Sequence, residues 1–130
     1  MKKVILFTVL LSSFLSMAQI HNASGTIKTK SAIEFTNEDY IGFWSCEGIS
    51  HVVIWKDCNN NMQMAEFSAS SGTPLEIISL NFNKTNLSVK TNFKENNWTT
   101  ESEFVFKDKS TLNCTVTGDG NASLTYKKIR

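Results

Sequence analysis

From Tyr40 onward the chain alternates apolar and polar residues in short runs, each closed by a turn signal. Alternation with period two marks a strand with one dry face and one wet face. Ile78, Leu80 and Phe82 share a face by this rule, as do Leu87, Val89 and Phe93. So do Trp98, Phe104 and Phe106, then Leu112, Cys114 and Val116, then Leu124 and Tyr126. The intervening positions are polar, for example Ser88, Lys90 and Asn92, or Thr99, Glu101 and Glu103. The pattern predicts eight strands, over 41–47, 50–56, 62–68, 75–82, 87–93, 98–107, 111–117 and 122–128. Gly48, the Asn-rich stretch 57–61, the Ser/Gly/Pro cluster ending at Pro74, and Gly118-Asp119-Gly120-Asn121 are among the joins.

The second run departs from strict alternation. His51, Val53 and Trp55 lie on one face and Val52 and Ile54 on the other, so both faces are apolar. Its outer face is expected to be covered by the segment that precedes the barrel. Within that segment, Thr36 offers a capping residue and Asp39 an acid three positions on, which predicts one short helical turn before Gly42. Eight short strands with local joins build either a closed up-and-down barrel or a two-sheet sandwich. Local joins favour the barrel, because closure removes sheet edges. The expected fold is therefore all-β, an eight-stranded antiparallel up-and-down barrel.

The N-terminus has a different texture. Lys2 and Lys3 precede a run from Val4 to Leu15 that is apolar except for Thr8, Ser12 and Ser13, and Ser16-Met17-Ala18 follows. That is the three-part pattern of a secretory signal peptide cleaved after Ala18. The expected organisation is a signal at 1–18, an arm with a short helical turn at 19–39, and a barrel at 40–130. The expected location is exported, in the periplasm or the medium. No later segment is apolar enough to span a bilayer as a helix.

Charge narrows the partners. Removing Lys2 and Lys3 from the 13 basic residues leaves 11 against 12 acidic ones. Such a balance attracts neither nucleic acid nor an anionic membrane. Six Asn-x-Ser/Thr sequons occur among 13 asparagines, which reads as a consequence of composition rather than of glycosylation. Export makes a disulfide plausible for Cys46, Cys58 and Cys114, of which three cannot all pair internally. Cys46 with Cys58 would staple the first hairpin, and Cys46 with Cys114 is the rival pairing.

Gly42-x-Trp44 in the first strand, followed by a meander with Lys128 and Arg130 at its end, resembles the lipocalin and fatty-acid-binding superfamily. The resemblance implies that Trp44 closes one end of the barrel and that Lys128 or Arg130 packs across it. It also implies a small hydrophobic ligand inside a monomeric barrel. An eight-stranded barrel is either filled by side chains or holds one small ligand. Trp44, Ile78, Leu80, Phe82, Phe93, Trp98, Phe104 and Tyr126 are the candidate ligand-binding residues, with Tyr126 as the polar handle.

Catalytic chemistry finds no footing. No serine sits in a Gly-x-Ser-x-Gly elbow, and Glu101 and Glu103 fall on the wet face. His51 has no companion at metal-ligand spacing and reads as a strand histidine with a structural hydrogen bond. No cofactor or metal is expected. The expected function is non-catalytic binding of a small hydrophobic molecule, and the alternatives are a protein-interaction or inhibitor module or a structural envelope component.

Overall fold

Eight antiparallel strands form where the alternation places them, in a computed structural model that describes residues 32–130. They are β1 (Gly42–Cys46), β2 (Ser50–Lys56), β3 (Met62–Ser68), β4 (Glu76–Phe82), β5 (Leu87–Phe93), β6 (Trp98–Asp108), β7 (Thr111–Gly118) and β8 (Ala122–Lys128). The predicted export signal and most of the predicted arm lie outside the described residues. Among the described residues, no helix is long and apolar enough to cross a membrane.

Spatial order follows the chain with one wrap, β3-β2-β1-β8-β7-β6-β5-β4. The first and last strands meet through Trp44 opposite Lys128 and Ser45 opposite Lys127. The two outermost strands, β3 and β4, approach closely enough to nearly close the barrel. A bridge joins Phe67 to Pro74, and the Leu75 N–H donates to the Glu66 carbonyl at 2.9 Å. Every join is short, so each hairpin forms locally and the meander needs no crossover.

The two ends of the barrel differ. Thr36 opens a 3-10 turn (Asn37–Tyr40), and its N–H donates to the Asp39 carboxylate at 2.8 Å. This turn tucks Tyr40 into the barrel, where it is fully buried. The Trp44 indole N–H donates to the Tyr40 carbonyl at 2.7 Å, and Phe106 packs on the Tyr40 ring at 4.4 Å. Lys128 lies across Trp44, with Nζ 5.1 Å from the ring and donating to the Asp39 carbonyl at 3.0 Å. Of the two basic residues considered, Lys128 and not Arg130 takes this position. These groups make a floor. Above it Val52, Ile54, Leu87, Val89, Phe104 and Leu112 fill the lower barrel.

The structure corrects two expectations. Ile78 does not share a face with Leu80 and Phe82. A β-bulge between Ile77 and Ser79 inserts one extra residue, which shifts the phase of β4. Ile77 takes the inner position and Ile78 turns outward, 53% exposed. The second correction concerns Cys46 and Cys58. Cys46 pairs with Ser50 at the start of β2, while Cys58 lies beyond Lys56 at its far end. At ~3.3 Å per strand residue that is roughly 20 Å or more, against ~4.4–6.8 Å between disulfide Cα atoms. All three thiols are free, Cys58 exposed and Cys114 buried.

Two outcomes check this fold. Gly42 has φ +143°, and a Cβ there would lie 2.3 Å from the Arg130 carbonyl oxygen, whereas Gly48 at φ +73° has nothing within 4 Å. Gly42→Ala is expected to cost about 2–3 kcal/mol in urea unfolding and Gly48→Ala about 1 kcal/mol, the second being conformational strain alone. In timed alkylation of the folded protein, Cys58 is expected to react first and Cys114 only on unfolding. Denatured, unreduced protein with a single titratable thiol would contradict the free-cysteine structure.

Candidate functional site

The end of the barrel opposite the floor is open. The joins at 47–49, 69–75, 94–97 and 119–121 surround it. A cavity of about 390 Å³ lies inside this mouth. Its walls are largely apolar, with Ile49, Leu75, Phe93, Trp98, Val116 and Leu124 among them. Trp98 stands at the rim, 51% exposed, and Ile49 beside the mouth is 51% exposed. The volume falls at the lower end of the ~300–1,000 Å³ typical of small-molecule sites.

The polar groups come from the upper turns of the strands. On β3 the inward positions are Met64 and Glu66, because the strand keeps its two-residue period and Met64 is locked in the core. Glu66 is therefore carried inside, only 7% exposed. Ser50 enters from the neighbouring strand β2, diagonal to Glu66 in the ladder, and its hydroxyl donates to Glu66 Oε1 at 3.0 Å. The Tyr126 hydroxyl lies 2.5 Å from the same Ser50 oxygen. Thr91 and Thr100 bond each other at 3.1 Å on the opposite wall, and Ser102 lines the cavity between them and Cys114. Glu66 Oε2 has no hydrogen-bond partner among the described residues.

Burial governs the electrostatics here. It pushes the Glu66 carboxyl above its ordinary range, against the partial relief of the Ser50 and Tyr126 hydroxyls. It pushes the Cys114 thiol up to about 12, with the Glu66 charge adding to the effect. The Tyr126 hydroxyl is raised for the same two reasons. The Cys114 thiol and the Tyr126 hydroxyl therefore stay protonated near neutrality. What the arrangement offers is a fixed, buried acceptor at the base of an apolar cup.

Of the predicted ligand-binding residues, Phe93 and Trp98 line the cavity. Tyr126 sits just beneath it and acts through Ser50, so it is a support rather than a lining group. Trp44, Phe104, Leu80 and Phe82 belong to the floor and lower core, and Ile78 faces out. Sequence reasoning missed Glu66 and Ser50. The available signal was an acid in phase with Met62 and Met64, on the face that had to be dry. His51 points outward and bonds the Ser45 hydroxyl at 3.0 Å, the structural role expected of it. Among the described residues no group of three or more His, Cys, Asp or Glu side chains is placed to hold a metal.

A second hollow, of about 360 Å³, lies on the outer face of β4 to β7, with Ser79, Lys90 and Glu101 at its edge. Its charges already pair, Lys90 with Glu101 at 3.3 Å. It lacks a buried unpartnered group, so the mouth is the better site.

The raised Glu66 carboxyl yields a signed prediction. Such a group favours the fold while protonated, so its contribution is complete below about pH 4 and declines as pH rises through the raised value. Glu66→Gln, which stays neutral, is expected to match the wild type near pH 4. At pH 8 it is expected to be more stable by about 1–2 kcal/mol, the scale of a poorly satisfied buried polar group. The groups facing Glu66 are Ser50 on β2, Tyr126 on β8, and Cys114 on β7, and none is basic. Urea midpoints at both pH values check this, and a difference independent of pH would contradict it.

No protein-family model, no curated protein and no solved structure matches this chain.

Proposed function

We propose that this chain is an exported, non-catalytic barrel of lipocalin-like type that takes a small, mainly apolar molecule into its open mouth. The observation that carries the reading is the asymmetry of the barrel. One end is plugged by Tyr40 and Trp44, and the other holds a cavity of about 390 Å³ with a buried polar anchor at its base. A barrel serving only as a structural element gains nothing from a buried carboxylate with a free oxygen, since such a group costs stability. Trp44 with Lys128 across its ring supports the likeness to the lipocalin superfamily. The leader at 1–18 supports export.

Native mass spectrometry of the mature protein, isolated from the exported fraction of its own host, tests the reading. The expected result is a monomer starting at Gln19 with an added mass of a few hundred daltons that is lost on denaturation. A bare monomer mass would move the weight to a protein partner, with Ile49 and Trp98 at the rim as its contact. Intrinsic fluorescence gives a second readout. An apolar ligand in the mouth is expected to shift the emission of wild-type protein, and Trp98→Ala is expected to remove most of that shift and weaken binding about tenfold, by loss of one aromatic wall.

A further inference from the structure

Glu66 narrows the ligand's chemistry beyond size and apolarity, on the reading that the mouth is a binding site. Three features of the cavity bear on this. The carboxyl is fixed, because Ser50 holds Oε1 at 3.0 Å and Tyr126 holds Ser50 in turn. The other oxygen, Oε2, is buried without a hydrogen-bond partner among the described residues, on a side chain that lines the cavity. The remaining polar lining groups are the hydroxyls of Ser50, Ser68, Thr91, Thr100 and Ser102 and the Asn121 amide, so the one ionisable lining group is an acid.

We propose that the mouth selects a small amine, whose ammonium group donates to Glu66 Oε2 while its apolar body lies against Phe93, Trp98 and Leu124. A buried carboxylate accepts strongly only from a donor, and a cationic donor also supplies the missing counter-charge. A neutral alcohol satisfies the hydrogen bond but leaves the charge unpaired. A carboxylate or phosphate ligand would bring a second negative charge into a low-dielectric space, which is strongly unfavourable. The Ser50 hydroxyl beside the carboxyl offers the ammonium a second acceptor. Burial holds the Glu66 carboxyl above its ordinary range in the free protein, and an adjacent ammonium favours its ionised form. Trp98 at the rim adds a ring face on which a cation or an aromatic body can rest.

Three probes with one apolar body separate the possibilities: 2-phenylethylamine, 2-phenylethanol and 3-phenylpropanoate, titrated at pH 7 by calorimetry. The amine is expected to bind about tenfold or more tightly than the alcohol, the scale of one charge-assisted hydrogen bond, and the propanoate to bind more weakly than either. Glu66→Gln is expected to abolish the preference, so that amine and alcohol bind the variant with equal affinity. The amine-to-alcohol ratio on wild-type protein needs no variant, so the test holds even if the substitution disturbs folding. Equal affinities for amine and alcohol, or no detectable amine binding, would overturn the amine inference. The mouth-binding reading would then still stand or fall on the native mass and on the effect of Trp98→Ala.

Discussion

The barrel depends on the stacking of Lys128 across Trp44. The ladder between the first and last strands is short, with Trp44 opposite Lys128 and Ser45 opposite Lys127 as its paired residues. Two pairs are few to join the first strand to the last. Side chains reinforce the seam: Lys128 lies over the indole and bonds the Asp39 carbonyl, and the indole N–H bonds the Tyr40 carbonyl. Each partner satisfies a polar group that the floor would otherwise bury unpaired. Gly42 permits the approach, since any side chain there would strike the backbone of Arg130. The Phe43 N–H and carbonyl then bond the Arg130 carbonyl and the Ile129 N–H, at 2.8 and 2.7 Å.

A plugged floor sets what the rest of the interior can do. The lower barrel is close to a conventional apolar core, with Trp44, Leu87, Leu112 and Tyr40 fully buried. The upper barrel is not filled in the same way. Its inward positions carry Ser50, Glu66, Thr91, Thr100 and Ser102 in place of large apolar groups. Shorter, polar side chains leave a volume, and the volume is bounded below by the Tyr126–Ser50–Glu66 chain of hydroxyls and carboxyl. Filling that space with leucines would be the more stable solution. The departure from it is what points to binding, because natural sequences break packing rules mainly where function requires it.

Much of the fold was legible in the residues themselves. The strands 50–56, 62–68, 87–93 and 122–128 lie where alternation and turn residues put them. These are local signals: a period of two, and Gly, Asn or Pro where the chain reverses. The helical turn was legible too, from Thr36 and Asp39. The site was read less well, for a physical reason. Alternation says which residues face inward but not at what height along the barrel each one sits. Phe104 and Trp98 share a face of β6, yet one is sealed in the core and the other stands half-exposed at the rim. Ile78 failed because a bulge is a backbone event, and the apolar run Ile77-Ile78 fits either phase.

The sequence by itself therefore determined the number of strands, their order along the chain and, outside the bulged β4, most of the wet and dry faces. These follow from local periodicity and composition, which need no knowledge of distant partners. Only the tertiary structure decided which end is closed, that Lys128 rather than Arg130 crosses Trp44, and that Cys46 and Cys58 stand far apart. It alone gathered Ser50, Glu66 and Tyr126, from three different strands, into one buried chain. Such groupings depend on how strands are staggered around a closed sheet, and stagger is fixed by the sum of many cross-strand contacts rather than by any one segment.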